Sequence, residues 1–163
     1  KNTASALKSG IGDIAEKAKA TVAELKEKDR IIESLEAKLA GGQLDELISK
    51  AEDIKGISLV TGKLNVDEPD ALRSAADQIK DNPSAVALLA CVTKKGTVSF
   101  AAACGKEAVA KGAHAGNLVK AAAVIAGGNG GGRPDSAMAG GKDSSKIEEA
   151  LASAGATLSA QLK

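Results

Sequence analysis

The sequence predicts an α+β fold, in which a helical segment precedes a small globular domain with a short mixed sheet and packed helices. Two observations support this prediction. The first 55 residues follow a helical apolar repeat and are rich in Lys and Glu, whereas from Ile57 onward short apolar runs alternate with helical patterns. The predicted organisation is a helical, coiled-coil-like subdomain over residues 1–55 and a globular domain over residues 57–163.

The helical segment is expected to begin with one long helix from about Ser9 to Ala40. Gly41-Gly42 is predicted to end it, and a second helix is predicted from Leu44 to Ile54, ended by Gly56. Two alternatives are open for this segment: a helical hairpin that folds on itself, or a coiled coil with a second copy of the chain. The apolar seam has the heptad positions Ile11, Ala18, Leu25, Ile32 and Leu39, interleaved with Ile14, Thr21, Lys28 and Leu35.

The globular part is expected to contain three strands and three helices, with breaks at Gly and Pro positions. Ala85–Val92 is an almost continuous apolar run, as in a buried strand, and Lys94-Lys95-Gly96 is predicted to turn the chain into a hairpin. The predicted elements in order are a strand at 57–64, a helix at 69–80, strands at 85–92 and 97–104, a helix at 117–126 and a final helix capped by Asp143 or Ser144 and ending near Leu162.

Composition restricts both the core and the function. Apolar residues make up 44% of the chain, but Phe100 is the only aromatic residue, so the core must consist of Ala, Val, Ile and Leu. The lack of aromatic side chains argues against a base-stacking platform for single strands. No apolar run approaches the roughly 20 residues of a membrane span.

The sparse pair Cys91 and Cys104 is typical of reduced core thiols in a cytoplasmic protein. The leaderless start at Lys1 favours an internal segment of a longer protein.

Positive charge is concentrated in one part of the chain. Residues 94–146 contain eight basic and three acidic side chains, a net charge of +5 in a chain whose net charge is +1. A polyanionic partner is therefore expected to bind there. Lys94 and Lys95 either contact nucleic acid or solvate a turn, and His114 either contacts RNA or caps a helix. The further candidates in this region are Lys111, Lys120 and Lys142.

The segment from Gly127 to Asp135 is too rich in glycine for an ordinary linker. The amides of Gly128, Gly130, Gly131 and Gly132 could form an anion-binding concavity if the backbone adopts positive φ, and the planar fork of Arg133 suits phosphate. The alternatives are a turn without a ligand and a hydrogen bond between Arg133 and Asp135. The segment is neither a P-loop nor a dinucleotide fingerprint, because Lys142 is followed by Asp143 and a helix precedes the glycines.

Catalytic and metal chemistry are not expected in this chain. Two strand cysteines and one histidine do not supply a zinc ligand set, and His114 has no recognisable nucleophilic partner. We therefore predict that the chain by itself is catalytically silent and needs no cofactor.

Two stretches resemble a known family. The strings GGNGGGRPDSAMAGG (127–141) and KGAHAGNLVK (111–120) are similar to the C-terminal domain of bacterial alanyl-tRNA synthetases. That domain, called DHHA1 or C-Ala, shares its fold with the substrate-binding subdomain of DHH phosphoesterases. The resemblance covers roughly residues 57–163, while residues 1–55 match only in general character. Asn129 stands where lysine is common in this family.

The resemblance implies a function. It implies binding to the elbow of tRNA, where the D- and T-loops meet, in support of aminoacylation and editing of mischarged tRNA(Ala). It also implies homodimer contacts through the N-terminal helices. ATP with magnesium, and a zinc ion, are expected in upstream domains of the parent enzyme. The alternatives are a purely structural oligomerisation module and the substrate-binding subdomain of a DHH-type phosphoesterase.

Overall fold

The structure, a computed structural model, describes residues 14–163, so the predicted helix start at Ser9 and the seam residue Ile11 lie outside the described residues. The chain divides into two compact units, with the boundary between Lys38 and Leu39. The elements in chain order are α1 (Ile14–Ser49), β1 (Glu52–Ile54), β2 (Ile57–Lys63), α2 (Pro69–Lys80), β3 (Ala85–Val92), β4 (Val98–Cys104), α3 (Lys106–Ala110), α4 (Ala115–Ile125), β5 (Asn129–Gly132), β6 (Ser136–Gly141), a 3₁₀ turn (Ser144–Lys146) and α5 (Ile147–Gln161).

The strands form one six-stranded sheet in the order β1-β2-β3-β4-β6-β5. β2 and β3 are parallel and the other neighbouring pairs are antiparallel. A mixed sheet with packed helices confirms the predicted α+β class. The predicted helix Pro69–Lys80 and strand Ala85–Val92 have the bounds that the sequence indicated.

Two hydrophobic cores cover the two faces of the sheet, because successive side chains of a strand point to opposite faces. Val86 and Leu88 of β3 belong to the core that includes α3, α4 and α5. Ala87 and Leu89 belong to the core that includes α2 and the end of α1. β3 is therefore buried on both sides, which explains its continuous apolar sequence.

The end of α1 differs from the prediction. Gly41 and Gly42 lie within the helix, which continues to Ser49. Ala40 and Leu44 on either side of them are buried in the α2-side core. Glycine costs about 1 kcal/mol in a helix interior, and burying these side chains outweighs that cost. The prediction that Gly41-Gly42 ends the helix is therefore wrong.

The predicted second helix, Leu44–Ile54, is also wrong beyond Ser49. Glu52–Ile54 forms strand β1, which pairs antiparallel with β2 through the two-residue turn Lys55-Gly56. The φ angles of these two residues are +55° and +80°, as in the type I′ turns that fit the twist of a hairpin. The Gly56 N–H donates to Asp53 Oδ1 at 3.1 Å. Gly56 thus closes a hairpin rather than a helix.

The two cysteines are free and buried, as predicted for core thiols. Cys91 lies at the end of β3 that pairs with Ser99, and Cys104 lies at the far end of β4, where it pairs with Val86. Burial raises the pKa of the Cys91 thiol to about 11 and the pKa of the Cys104 thiol to about 12. Both thiols are therefore protonated at neutral pH and unreactive as nucleophiles.

Candidate nucleic-acid interface

The glycine-rich segment forms the last two strands of the sheet. β5 pairs antiparallel with β6, and β6 pairs antiparallel with β4. Among the glycines from Gly127 to Gly141, Gly127 has a positive φ, of +68°, and the others do not. The predicted turn of successive positive-φ glycines with an anion-binding concavity is therefore wrong. The ladder with β6 holds Gly130, Gly131 and Gly132 in an extended strand, and their contact with phosphate stays a prediction.

One face of the β5–β6 hairpin packs against α4, and this packing requires glycine. A Cβ on Gly141 would lie 2.6 Å from the Cβ of Ala126, at the end of α4, and within the hairpin a Cβ on Gly132 would lie 2.6 Å from the Cβ of its β6 partner Ala137. A Cβ on Gly116, in α4, would lie 2.9 Å from the amide nitrogen of Gly132 and would overlap its carbonyl oxygen. Backbone therefore approaches backbone directly where α4 crosses β5.

The opposite face of the hairpin, which we call the open face, does not require glycine for packing. Gly131 pairs with Met138 on this face. A Cβ on Gly131 would meet no heavy atom within 4 Å, and a Cβ on Gly140 would meet Val98 O at an ordinary 3.8 Å. Neither residue has a positive φ. The absence of a side chain at these two positions leaves the strand backbone accessible.

Two arginines border the open face. Arg73 of α2 and Arg133 of the β5–β6 turn have side chains that are 53% and 74% exposed. Arg73 could not be recognised as a candidate from the sequence, because only the fold brings it beside Arg133. Its position on the solvent side of an amphipathic helix was the one local signal. The groove between them has a volume of about 480 Å³ and is lined by Arg73, Gly131, Gly132, Arg133, Ser136, Ala137 and Met138.

The N-terminus of α4 is already occupied by protein groups. The Ala115 N–H donates to Pro134 O at 2.9 Å and the Gly116 N–H donates to Arg133 O at 3.2 Å. The Asn117 N–H donates to Nδ1 of His114, which caps the helix. The interpretation of His114 as a cap is therefore the one that the geometry supports, and these amides hold the Arg133-Pro134 turn rather than a ligand.

The other predicted contact residues do not gather at one point. Lys94 and Lys95 lie in the β3–β4 turn, at the same end of the sheet as Lys142, because Val98 pairs with Gly141. Arg133 lies at the other end of β6, about 20 Å away at about 3.4 Å per residue. Lys94 also lies 3.4 Å from Glu68 Oε1. The lysines and Arg133 thus mark two ends of an extended surface.

Two further predicted lysines lie away from this surface. Lys111 follows α3, and its carbonyl oxygen accepts a hydrogen bond from the Lys163 N–H at 3.0 Å. Lys120 is exposed on α4. α4 covers the face of the sheet opposite the open face, so neither lysine is placed beside the groove. Their RNA contacts stay predictions.

Comparison with known proteins identifies the family. Residues 56–160 match the model of the DHHA1 domain, and the chain belongs to this family. It is 43% identical to the alanine–tRNA ligase of Alkaliphilus oremlandii over 91% of this chain and 17% of that protein. It is 39% identical to the alanine–tRNA ligase of Bacillus subtilis over 94% of this chain and 17% of that protein. The chain thus spans about a sixth of the length of these curated relatives.

Solved structures agree with this assignment. The C-Ala domain of Aquifex aeolicus alanyl-tRNA synthetase is 29% identical, with a TM-score of 0.60 over 67% of this chain and 97% of that domain. The resemblance predicted from the segment 127–141 is therefore confirmed. RecJ from Thermus thermophilus is 16% identical with a TM-score of 0.54, over 90% of this chain and 21% of RecJ. That likeness concerns the fold alone.

Neither a metal-binding cluster nor a membrane-spanning helix is found among the described residues. Between residues 14 and 163, no group of three or more His, Cys, Asp or Glu side chains is placed to hold a metal ion. In the same part of the chain, no helix combines the length and the apolar character that crossing a membrane demands.

Proposed function

We propose that this chain is the tRNA-binding part of an alanine–tRNA ligase and that it contacts the elbow of tRNA. The observation that supports this most directly is a surface of two arginines and bare strand backbone in a chain 43% identical to such a ligase. In this proposal the chain holds tRNA in support of aminoacylation and editing. The chemistry, with its ATP, magnesium and zinc, belongs to segments outside this chain.

The cations and the accessible backbone of this surface suit folded RNA. Proteins recognise folded RNA largely through its shape, its backbone and its loops, which requires cations and accessible backbone rather than aromatic platforms. Arg133 at one end of β6 and Lys94, Lys95 and Lys142 at the other would contact phosphates about 20 Å apart. A contact of this length fits a structured RNA better than a small phosphorylated ligand.

The first prediction concerns salt. We expect the chain to bind tRNA with an affinity that falls roughly 30-fold between about 50 and about 200 mM salt, because neutralising about three phosphates releases their counterions. Fluorescence anisotropy with labelled tRNA at several salt concentrations measures this. Absence of binding, or an affinity independent of salt, contradicts the proposal.

To distinguish contact with the elbow from RNA binding in general, a second RNA must be compared with intact tRNA. A tRNA transcript with substitutions that break the contact between the D- and T-loops retains its charge and length. We expect it to bind more weakly than the intact transcript at each salt concentration. Equal affinity for both transcripts would leave RNA binding intact and contradict contact at the elbow.

Self-association through α1 is the second function that we propose. The part of α1 before the boundary at Lys38 carries apolar side chains that are half exposed, including Leu25 at 56% and Leu35 at 53%. Leu25, Ile32 and Leu39 recur at seven-residue intervals, the spacing of a coiled-coil seam. A seam of this length needs an apolar partner, and a second copy of the same helix provides one.

The second prediction tests this seam. Leu25→Asp combined with Leu35→Asp is expected to convert a dimer to a monomer in sedimentation velocity. Forming the coiled coil would bury the two new carboxylates without partners, and burying an unpaired charge costs free energy. Val124→Asp is the matched control, since Val124 is 62% exposed but lies on α4. A monomeric wild-type chain, or a dimer that survives the double substitution, contradicts self-association through this seam.

A further inference from the structure

Arg73 and Arg133 are held by a chain of carboxylates that links α2 to the β5–β6 turn. Arg73 Nε lies 4.0 Å from Asp77 Oδ2, and Arg133 Nε lies 3.4 Å from Asp135 Oδ1. Lys80 Nζ joins the two carboxylates, at 3.4 Å from Asp77 Oδ1 and 3.6 Å from Asp135 Oδ2. These five side chains carry a net charge of +1 and connect elements that are far apart in the sequence.

This network positions the arginines more than it stabilises the fold. Exposed ion pairs contribute between zero and about 1 kcal/mol, and both arginine side chains are more than half exposed. Asp77 Oδ1 is buried without a hydrogen-bond partner, so the nearby Lys80 ammonium supplies its electrostatic compensation. Each arginine faces a carboxylate through Nε, a geometry that orients its planar fork.

The groove that Arg73 and Arg133 line includes the backbone of two glycines, Gly131 and Gly132. Gly131 lies there with room for a Cβ. Ser136 contributes a hydroxyl group and Met138 the single large apolar side chain of the groove. A narrow anionic chain can therefore lie on the strand between two cations, whereas a bulky apolar ligand would find little surface to contact.

We propose that Arg73 and Arg133 together bind one phosphodiester segment of folded RNA, which crosses the backbone at Gly131. This assignment rests on the proposed tRNA-binding function and adds Arg73 to it as a binding residue. Guanidinium groups suit this role because each can donate two parallel hydrogen bonds to phosphate oxygens. Asp77, Lys80 and Asp135 are positioning residues in this arrangement.

The third prediction concerns Arg73. Arg73→Ala is expected to weaken tRNA binding about tenfold and to reduce the slope of log affinity against log salt by about one. Arg73→Lys, which retains charge but lacks the fork, is expected to keep the slope and lose part of the affinity. Arg30→Ala is the matched control, because Arg30 is an exposed arginine on α1 that forms one ion pair, with Glu27. Thermal unfolding of each variant verifies that the fold is intact.

The outcomes separate this assignment from the function on which it rests. A wild-type chain that fails to bind tRNA contradicts both. If the wild-type chain binds with the expected salt dependence and Arg73→Ala binds equally well, RNA binding stands and the role of Arg73 is overturned. Equal losses in Arg73→Ala and Arg30→Ala would also overturn it, since the effect would then be one of overall charge.

A steric substitution tests the path of the phosphodiester. Gly131→Val adds a side chain at the groove, where its Cβ would meet no heavy atom within 4 Å, and it removes no charge. We expect it to reduce tRNA affinity about tenfold, as one blocked charge-assisted contact would, with an unchanged unfolding midpoint. Unchanged affinity would exclude the crossing at Gly131.

Discussion

Gly116→Ala is expected to lower the free energy of unfolding by about 3 kcal/mol, the upper part of the range for overpacked sites. The added Cβ would lie 2.9 Å from the amide nitrogen of Gly132 and would overlap its carbonyl oxygen. Backbone atoms in a strand cannot rotate away, so α4 must move off β5. Urea denaturation followed by circular dichroism measures the change.

A helical glycine in open space is the control for this substitution. Gly41 in α1 has no heavy atom within 4 Å of an added Cβ, so Gly41→Ala is expected to raise stability by up to about 1 kcal/mol. The same substitution of glycine by alanine would then raise the free energy of unfolding at Gly41 and lower it at Gly116. If both variants are stabilised, the close approach of α4 to β5 is not a packing requirement.

The same contact connects stability to the candidate site. The Gly116 N–H donates to Arg133 O at 3.2 Å, so a displaced α4 would also release the turn that carries Arg133. Loss of tRNA binding in Gly116→Ala would therefore not show that Gly116 contacts RNA. Gly131→Val, which affects the open face alone, is the variant that isolates binding from folding.

The central elements could be predicted from the sequence because their local signals agree with their tertiary environment. β3 is apolar throughout because both of its faces are buried, and α2 buries Leu72, Ala75, Ala76 and Ile79 at helical spacing. β5 and β6 could not be predicted in this way. Glycine is depleted in strands, and the close approach of Gly141 to Ala126 at the end of α4 arises only once the strands and α4 have packed together.

The candidate site also has one part with a local sequence signal and another part that depends on the tertiary fold. Arg133 could be predicted because it adjoins the glycine-rich signature, and the alternative of a contact with Asp135 is also present, at 3.4 Å. Arg73 could not be predicted, because no spacing rule relates a position in α2 to a turn between β5 and β6. The ion pair between Lys80 and Asp135 joins α2 to that turn, so it exists only after the sheet has formed. Local patterns thus predicted the glycine-rich segment with Arg133. The tertiary fold brings the second cation, Arg73, beside it.

The largest expected effect concerns the start of the globular part. A chain beginning at Gly56, the boundary that the sequence suggests, lacks Ala40, Leu44 and Leu47 of α1 and the edge strand β1. Leu44 is buried and Leu47 packs over Gly62, where its Cγ lies 2.9 Å from the position of a Cβ. Losing these contacts is expected to lower the free energy of unfolding by about 5 kcal/mol.

The matched control is a chain beginning at Leu39, which retains all three side chains and begins at the boundary between the two compact units. It also retains Gln43, whose side-chain oxygen accepts a hydrogen bond from the Asn65 N–H at 3.0 Å. Urea unfolding of both chains measures the difference, and equal midpoints and slopes would show that the end of α1 adds nothing to the globular unit. If the difference is found, self-association must be tested by removing residues before Leu39, because a chain beginning at Gly56 would lose the seam of α1 and its own core at the same time.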